Sequence, residues 1–323
     1  MSSSSVSAEA VGAADAALQQ PDPEGAPAAF LGPLFWVAVA FSVFQVVTAA
    51  FSPISSSVVR AVHVGFLLLI TFVLYPPLRQ KWLGWSIGVA AFATGFYHWV
   101  FEADLIQRAG DLTTGDMIVG VIVIVLVFEG ARRIMGWALP LICLTFLAYG
   151  LFGQYLPGAL AHRGYGIDQI VGQLGFGTEG IYGTPIYVSS SYIYLFILFG
   201  AFLVQAGMIT LFTDFALGLF GHTKGGPAKV AVVSSGLMGT ISGSGVANVV
   251  TTGQFTIPLM KRFGYNSAFA GGVEATSSMG GQIMPPVMGA VAFIMAETID
   301  VPYVEICRAA AIPAMLYFLT AFI

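Results

Sequence analysis

The chain has 323 residues, 57% of them hydrophobic and 9% charged. Soluble domains carry about 25% charged residues, so this composition excludes a water-covered globule, and a mean hydropathy of +0.86 points to a polytopic membrane protein. The 12 Lys and Arg against 16 Asp and Glu give a net charge of −4 and form no basic stripe, which argues against nucleic-acid binding.

Residues 1–29 are rich in Ser, Ala and Pro, carry Glu9, Asp15, Asp22 and Glu24, and contain no Lys or Arg. Such a stretch buries too little apolar surface to offset its ordering entropy. The first cation is Arg60, so the basic n-region of a signal peptide is missing. A disordered, uncleaved cytoplasmic tail is predicted.

A bilayer core needs roughly 20 apolar residues per helix. On that rule the spans are 30–51, 61–78, 83–101, 117–128 with its neighbours, 136–155, 186–206, 268–296 and 303–323. The chain is thereby divided into four parts: a tail (1–29), a first membrane region (30–155), an outer connection (156–185) and a second membrane region (186–323). Placing the tail inside puts Arg79, Lys81, Arg132, Arg133, Lys224, Lys229, Lys261 and Arg262 in inner loops and only Arg60, Arg108 and Arg163 outside. That asymmetry sets the tail in the cytoplasm. Cys143 and Cys307 lie in apolar runs and read as small buried residues, with no disulfide or metal spacing. His63 and His98 read as structural residues near helix ends, and Glu129 as paired with the arginines after it.

The segment 229–260 is apolar but dense in Gly, Ser and Thr, with a Lys at each end. Keeping both ends cytoplasmic requires a re-entrant hairpin. An arm over 230–241 would be roughly 18 Å long, about half of a ~30 Å core, placing Ser242, Gly243, Ser244 and Gly245 at mid-depth. Non-helical backbone is tolerated there only when buried in protein or lining a wet cavity. Gly-interrupted helices meeting at the midplane point to a carrier's binding site.

The stretch 239–253, GTISGSGVANVVTTG, offers Ser242, Ser244, Asn248 and Thr252 oxygens plus the free carbonyls of a broken helix around Gly243. Hard cations take such oxygens, so an alkali-cation site is one reading. Close packing of small residues is the other. A second break is expected in 277–289, SSMGGQIMPPVMG, where Pro285 and Pro286 remove two backbone donors and Gly280 and Gly281 weaken the helix before them. It frees carbonyls near Ser277 and Ser278 toward the hairpin, or is a plain proline kink. Gln282 either reaches substrate or the hairpin, or serves as packing glue. Glu274 is a carboxylate for proton or cation coupling if it lies within the span, or an interfacial residue if the span starts near Ala268. Enzymatic readings fail: no Gly-x-Ser-Gly with a following-span His occurs, and no P-loop for ATP.

Four stretches carry a resemblance: EGARRIMGWALPLICLTFLAYGLFG (129–153), YIYLFILFGAFL (192–203), GGPAKVAVVSSGLMGTISGSGVANVVTTGQFTIPLMKRFGY (225–265) and GGQIMPPVMGAVAFIMAE (280–297). They resemble the fused membrane subunit of tripartite ATP-independent periplasmic (TRAP) transporters, in the branch paired with TAXI-type binding proteins. The resemblance implies an all-α, elevator-type inner-membrane carrier built on inverted repeats with hairpins, and an organic acid (dicarboxylate or related carboxylate) taken up with Na⁺ as the coupling ion. It implies a periplasmic solute-binding protein as partner, with no ATP and no other cofactor. Residue by residue it points to Ser242, Gly243, Ser244, Asn248, Ser278, Gly280 and Gly281 for Na⁺, with Thr252 added by composition; at the broken helix Gln282, Pro285 and Pro286 are expected near substrate. Met279 stands where the family commonly has Thr, which removes a hard oxygen. The chain stops at Ile323 within an apolar run, so only the first repeat is expected, the second and its hairpin missing. Competing readings are a binding-protein-independent Na⁺/dicarboxylate carrier and a truncated, non-transporting remnant.

Overall fold

The computed structural model describes residues 32–323; the tail expected over 1–29 lies outside the described residues. The described chain is α-helical with short 3₁₀ and π turns and no strand among its residues. Five of these helices are long and apolar enough to cross a membrane. The chain divides into two compact units, meeting in sequence between Ser191 and Tyr192.

The first unit contains α1 (Pro33–Phe51), α2 (Ser56–Leu74), α3 (Lys81–Val100), the short α4 (Glu102–Gln107), α5 (Thr114–Met135), α6 (Ala138–Phe152) and α7 (Ile167–Gly175). Its closest packing is α2 on α3, where glycines let backbones touch. A Cβ on Gly95 would lie 2.5 Å from the Ala61 carbonyl oxygen, and one on Gly84 equally close to that of Phe72. Ala61, Val64, Leu68, Phe72, Ala91, Val123 and Tyr182 form the core there. Helix α5 begins with a capping box between Thr113 and Asp116. At its other end Glu129 pairs with both Arg132 (2.6 Å) and Arg133 (2.5 Å), as the sequence predicts.

Two sequence expectations fail here, the second of them also in the other unit. His63 sits within α2 rather than at its end, fully buried, between the Gln45 amide (2.7 Å) and Ser189 Oγ (3.0 Å). Such polar contacts satisfy a ring that could not otherwise leave water. Cys143 is exposed, not buried, and Cys307 is only half-buried. On α6 only Pro140 is buried, and a helix apolar all round faces lipid in a membrane.

A helical stretch, Thr184–Gln205, crosses the division between the units with a π turn at Ser189–Ile193; its last part, Tyr194–Gln205, is α8. The second unit continues with α9 (Met208–Phe220), α10 (Gly226–Ser242), α11 (Gly245–Arg262), α12 (Ser267–Gly280), a 3₁₀ turn Gly281–Ile283, α13 (Ala290–Thr298) and α14 (Tyr303–Phe322). The run 268–296 is therefore two helices separated by non-helical backbone at 284–289, not one span. Arm α10 has 17 residues, about 25 Å, because Gly225 in the left-handed region and Pro227 start the helix four residues before the expected position. Its length alone does not stop it at mid-depth.

Candidate functional site

The site is built where α10 ends and α11 begins. Gly243 adopts φ +59 and ψ 0, closing α10 with its N–H on the Gly239 carbonyl. Ser244 is the N-cap of α11, accepting the Ala247 N–H at 3.3 Å. The two helices fold back on each other: Asn248 Nδ2 donates to the Ser235 carbonyl oxygen at 2.9 Å, and Thr252 Oγ1 lies 3.1 Å from Ser235 Oγ.

Helix α12 completes the site through Glu274, which has no exposed surface. Its Oε1 accepts from Ser235 Oγ (3.1 Å), Thr252 Oγ1 (2.5 Å) and Ser278 Oγ (2.8 Å), and its Oε2 from Thr256 Oγ1 (2.5 Å). Ion pairs at Arg108, Arg132, Arg133 and Arg308 engage other carboxylates. Among the described residues, Glu274 is thus a buried carboxylate held by hydroxyls alone, on three helices. Neutral donors stabilise an anion but do not cancel its charge.

The predicted residues fall into two groups. Asn248, Thr252 and Ser278 are fully buried in the chain of contacts around Glu274. Ser242 and Gly243 lie at the tip, where a Cβ on Gly243 would be 2.0 Å from the Met288 carbonyl oxygen. Ser242 Oγ is buried with no hydrogen-bond partner among the described residues. Ser244 is exposed, its oxygen occupied by the cap.

The second break differs in detail from the expectation. Ser277 and Ser278 remain helical, with α12 running on to Gly280, so the backbone facing the tip is that of 287–289, beyond Pro285 and Pro286. The Pro286 carbonyl oxygen accepts from Tyr303 at 2.9 Å, tying this segment to α14. Gly281 packs on Gly239 and lies against the Asn248 amide, while Gly280 packs on Tyr317. Gln282 is exposed, with Nε2 3.6 Å from Met279 Sδ.

Sequence reading missed Ser235 and Thr256 and left Glu274 undecided. The signal was present: Asn248, Thr252 and Thr256 recur every four residues, as do Glu274 and Ser278, and residues so spaced share one helix face. Among the described residues no cluster of His, Cys, Asp and Glu suits a transition metal. Oxygen donors of this kind are hard, unlike the soft sulfur ligands of transition-metal sites.

A family model described as the DctM component of tripartite ATP-independent periplasmic transporters matches residues 122–323. A C4-dicarboxylate TRAP transporter large permease protein, DctM, of Pseudomonas aeruginosa is 34% identical over 121 residues, covering 38% of this chain and 28% of the relative. The protein of the same name from Rhodobacter capsulatus is 35% identical over 103 residues, 32% of this chain and 23% of the relative. A sialic acid TRAP transporter large permease protein, SiaM, of Vibrio cholerae is 31% identical over 121 residues, 38% and 28% of the two chains. The chain thus aligns with about a quarter of the length of these curated relatives. No solved structure matches.

Proposed function

The chain belongs to the DctM family of tripartite ATP-independent periplasmic transporters, and on that premise we propose that it serves Na⁺-coupled uptake of an organic acid across the inner membrane. Relatives named for C4-dicarboxylates and for sialic acid support a carboxylate as substrate, since both names denote carboxylic acids. A periplasmic binding protein of the TAXI type delivers it. The hairpin of α10 and α11 is re-entrant from the cytoplasmic side and belongs to an elevator-type transport unit.

One observation carries the ion assignment: the buried, unpartnered Ser242 Oγ at a helix break. A buried hydroxyl without a partner costs about 1–3 kcal/mol, and a Na⁺ at the tip would use its lone pairs. Ser242, Asn248, Thr252 and Ser278 supply side-chain oxygens, while Gly243, Ser244, Gly280 and Gly281 supply backbone at the two breaks. Gln282, Pro285 and Pro286 border the substrate position, where the non-helical 284–289 segment leaves backbone groups free to bind a polar molecule.

Uptake of a labelled C4-dicarboxylate by cells expressing the complete locus tests this. Accumulation is expected only with both the Na⁺ gradient and the soluble partner present. Uptake unchanged when choline replaces Na⁺, or when the partner gene is deleted, would overturn the corresponding part.

A further inference from the structure

The sequence leaves Glu274 open between a coupling carboxylate and an interfacial residue; its complete burial removes the interfacial reading. A Na⁺ held by hydroxyls, an amide and carbonyls alone leaves a site of net charge +1 inside a low-dielectric protein. A fully buried carboxylate held by hydroxyls alone leaves net −1. Either charge by itself is expensive to keep away from water, and the two together are not. The carboxylate touches Thr252 and Ser278, two of the oxygens assigned to the ion, and Ser235, whose carbonyl holds the Asn248 amide.

From this contact we infer that Glu274 supplies the negative charge of the Na⁺ site, so that ion and carboxylate move as a neutral pair. The inference rests on the cation reading given above and deepens it. The hydroxyls around Glu274 can change role without moving far. Thr252 Oγ1 lies 2.8 Å from the Asn248 carbonyl oxygen, and Thr256 Oγ1 3.1 Å from that of Thr252. Each hydroxyl has one hydrogen. Turned to the backbone, those hydrogens leave lone pairs directed at the cluster, and the ion replaces them as the carboxylate's counter-charge. Gly253 leaves the space for such adjustment, since a Cβ there would sit 3.2 Å from Glu274 Cγ.

The test measures ²²Na⁺ binding and thermal stability of the purified chain in NaCl and in choline chloride. Wild-type protein is expected to bind Na⁺ and to be stabilised by it. Glu274→Gln, which keeps shape but removes charge, should raise the half-saturating Na⁺ concentration at least about tenfold, and Glu274→Asp should recover part of that loss. Because a buried substitution can impair folding, a second measurement uses the wild-type chain: modification of Glu274 by dicyclohexylcarbodiimide, followed by peptide mass spectrometry, should be slowed by Na⁺ and not by choline. Wild-type protein indifferent to Na⁺ would overturn the cation reading itself. A protein that binds Na⁺, with affinity unchanged in Glu274→Gln or with Glu274 modified equally fast in both salts, would leave that reading intact and overturn this inference.

Discussion

Gly239 on α10 and Gly281 after α12 meet backbone to backbone: a Cβ on Gly239 would lie 2.4 Å from the Gly281 Cα. This contact seats the broken end of α12 on the first arm of the hairpin and brings Gly281 against the Asn248 amide. Gly239→Ala forces those backbones apart, and overpacking of this kind costs about 1–3 kcal/mol. The expected outcome is a lower melting temperature in detergent, with Gly272→Ala as control, because nothing lies within 4 Å of a Cβ there. Equal melting of the two variants would show that the contact is not tight.

Ser244 and Asn248 are predicted to separate. Ser244 Oγ caps α11 and is exposed, whereas Asn248 is fully buried with its amide on the Ser235 carbonyl. Ser244→Ala should cost about 1 kcal/mol of stability and leave Na⁺ half-saturation nearly unchanged. Asn248→Ala should weaken Na⁺ binding about tenfold or more, losing a buried polar group adjoining both Thr252 and Gly281. A Na⁺ titration of the two purified variants decides it; equal effects would place the ion at the cap.

The contrast shows where sequence reading succeeds. Gly243, Ser244 and the Pro285-Pro286 pair announce helix breaks because their conformational restrictions are local: a left-handed cap, an N-cap oxygen and missing N–H donors. The Glu274 cluster depends on α11 and α12 lying against α10, and nothing within one helix specifies that approach. Ser235 and Thr256 therefore read as packing residues until the carboxylate appears beside them. Hydropathy likewise announces the five helices long and apolar enough to cross a membrane, whereas the run 268–296 reads as continuous because its broken segment is apolar too.

Met279→Thr tests the expectation, drawn from the resemblance, that a Thr here would add a hard oxygen to the site. In this fold Met279 is half exposed, with its sulfur toward Gly245 and the Gln282 amide rather than toward Glu274. Thr at this position gains no place among the oxygens around the carboxylate. Na⁺ half-saturation is expected to stay within about twofold, well below the tenfold change that a lost or gained charged-group contact would produce. A tenfold tightening on isothermal titration would mean that the side chain reaches the ion.

Orientation gives the last prediction. The excess of Lys and Arg in one set of loops predicts that α10 and α11 open to the cytoplasm and that the connection 156–184 lies outside. That connection contains the 3₁₀ turn Gly158–Leu160 and the helix α7. Gly172 on α7 is a poor reporter, because a Cβ there already contacts Leu112 at 3.5 Å. Leu160, 59% exposed, is a better one. Exposed Cys143 must be removed first and Cys307 with it, since either would give background labelling. In that cysteine-free chain, Leu160→Cys should react with a membrane-impermeant maleimide added to spheroplasts, while a cysteine at His222, in the loop between α9 and α10, should react only after lysis. The positive-inside rule weighs loop charges summed over the chain, so a reversed result would invert every loop at once and remove the topological ground for a cytoplasmic hairpin base.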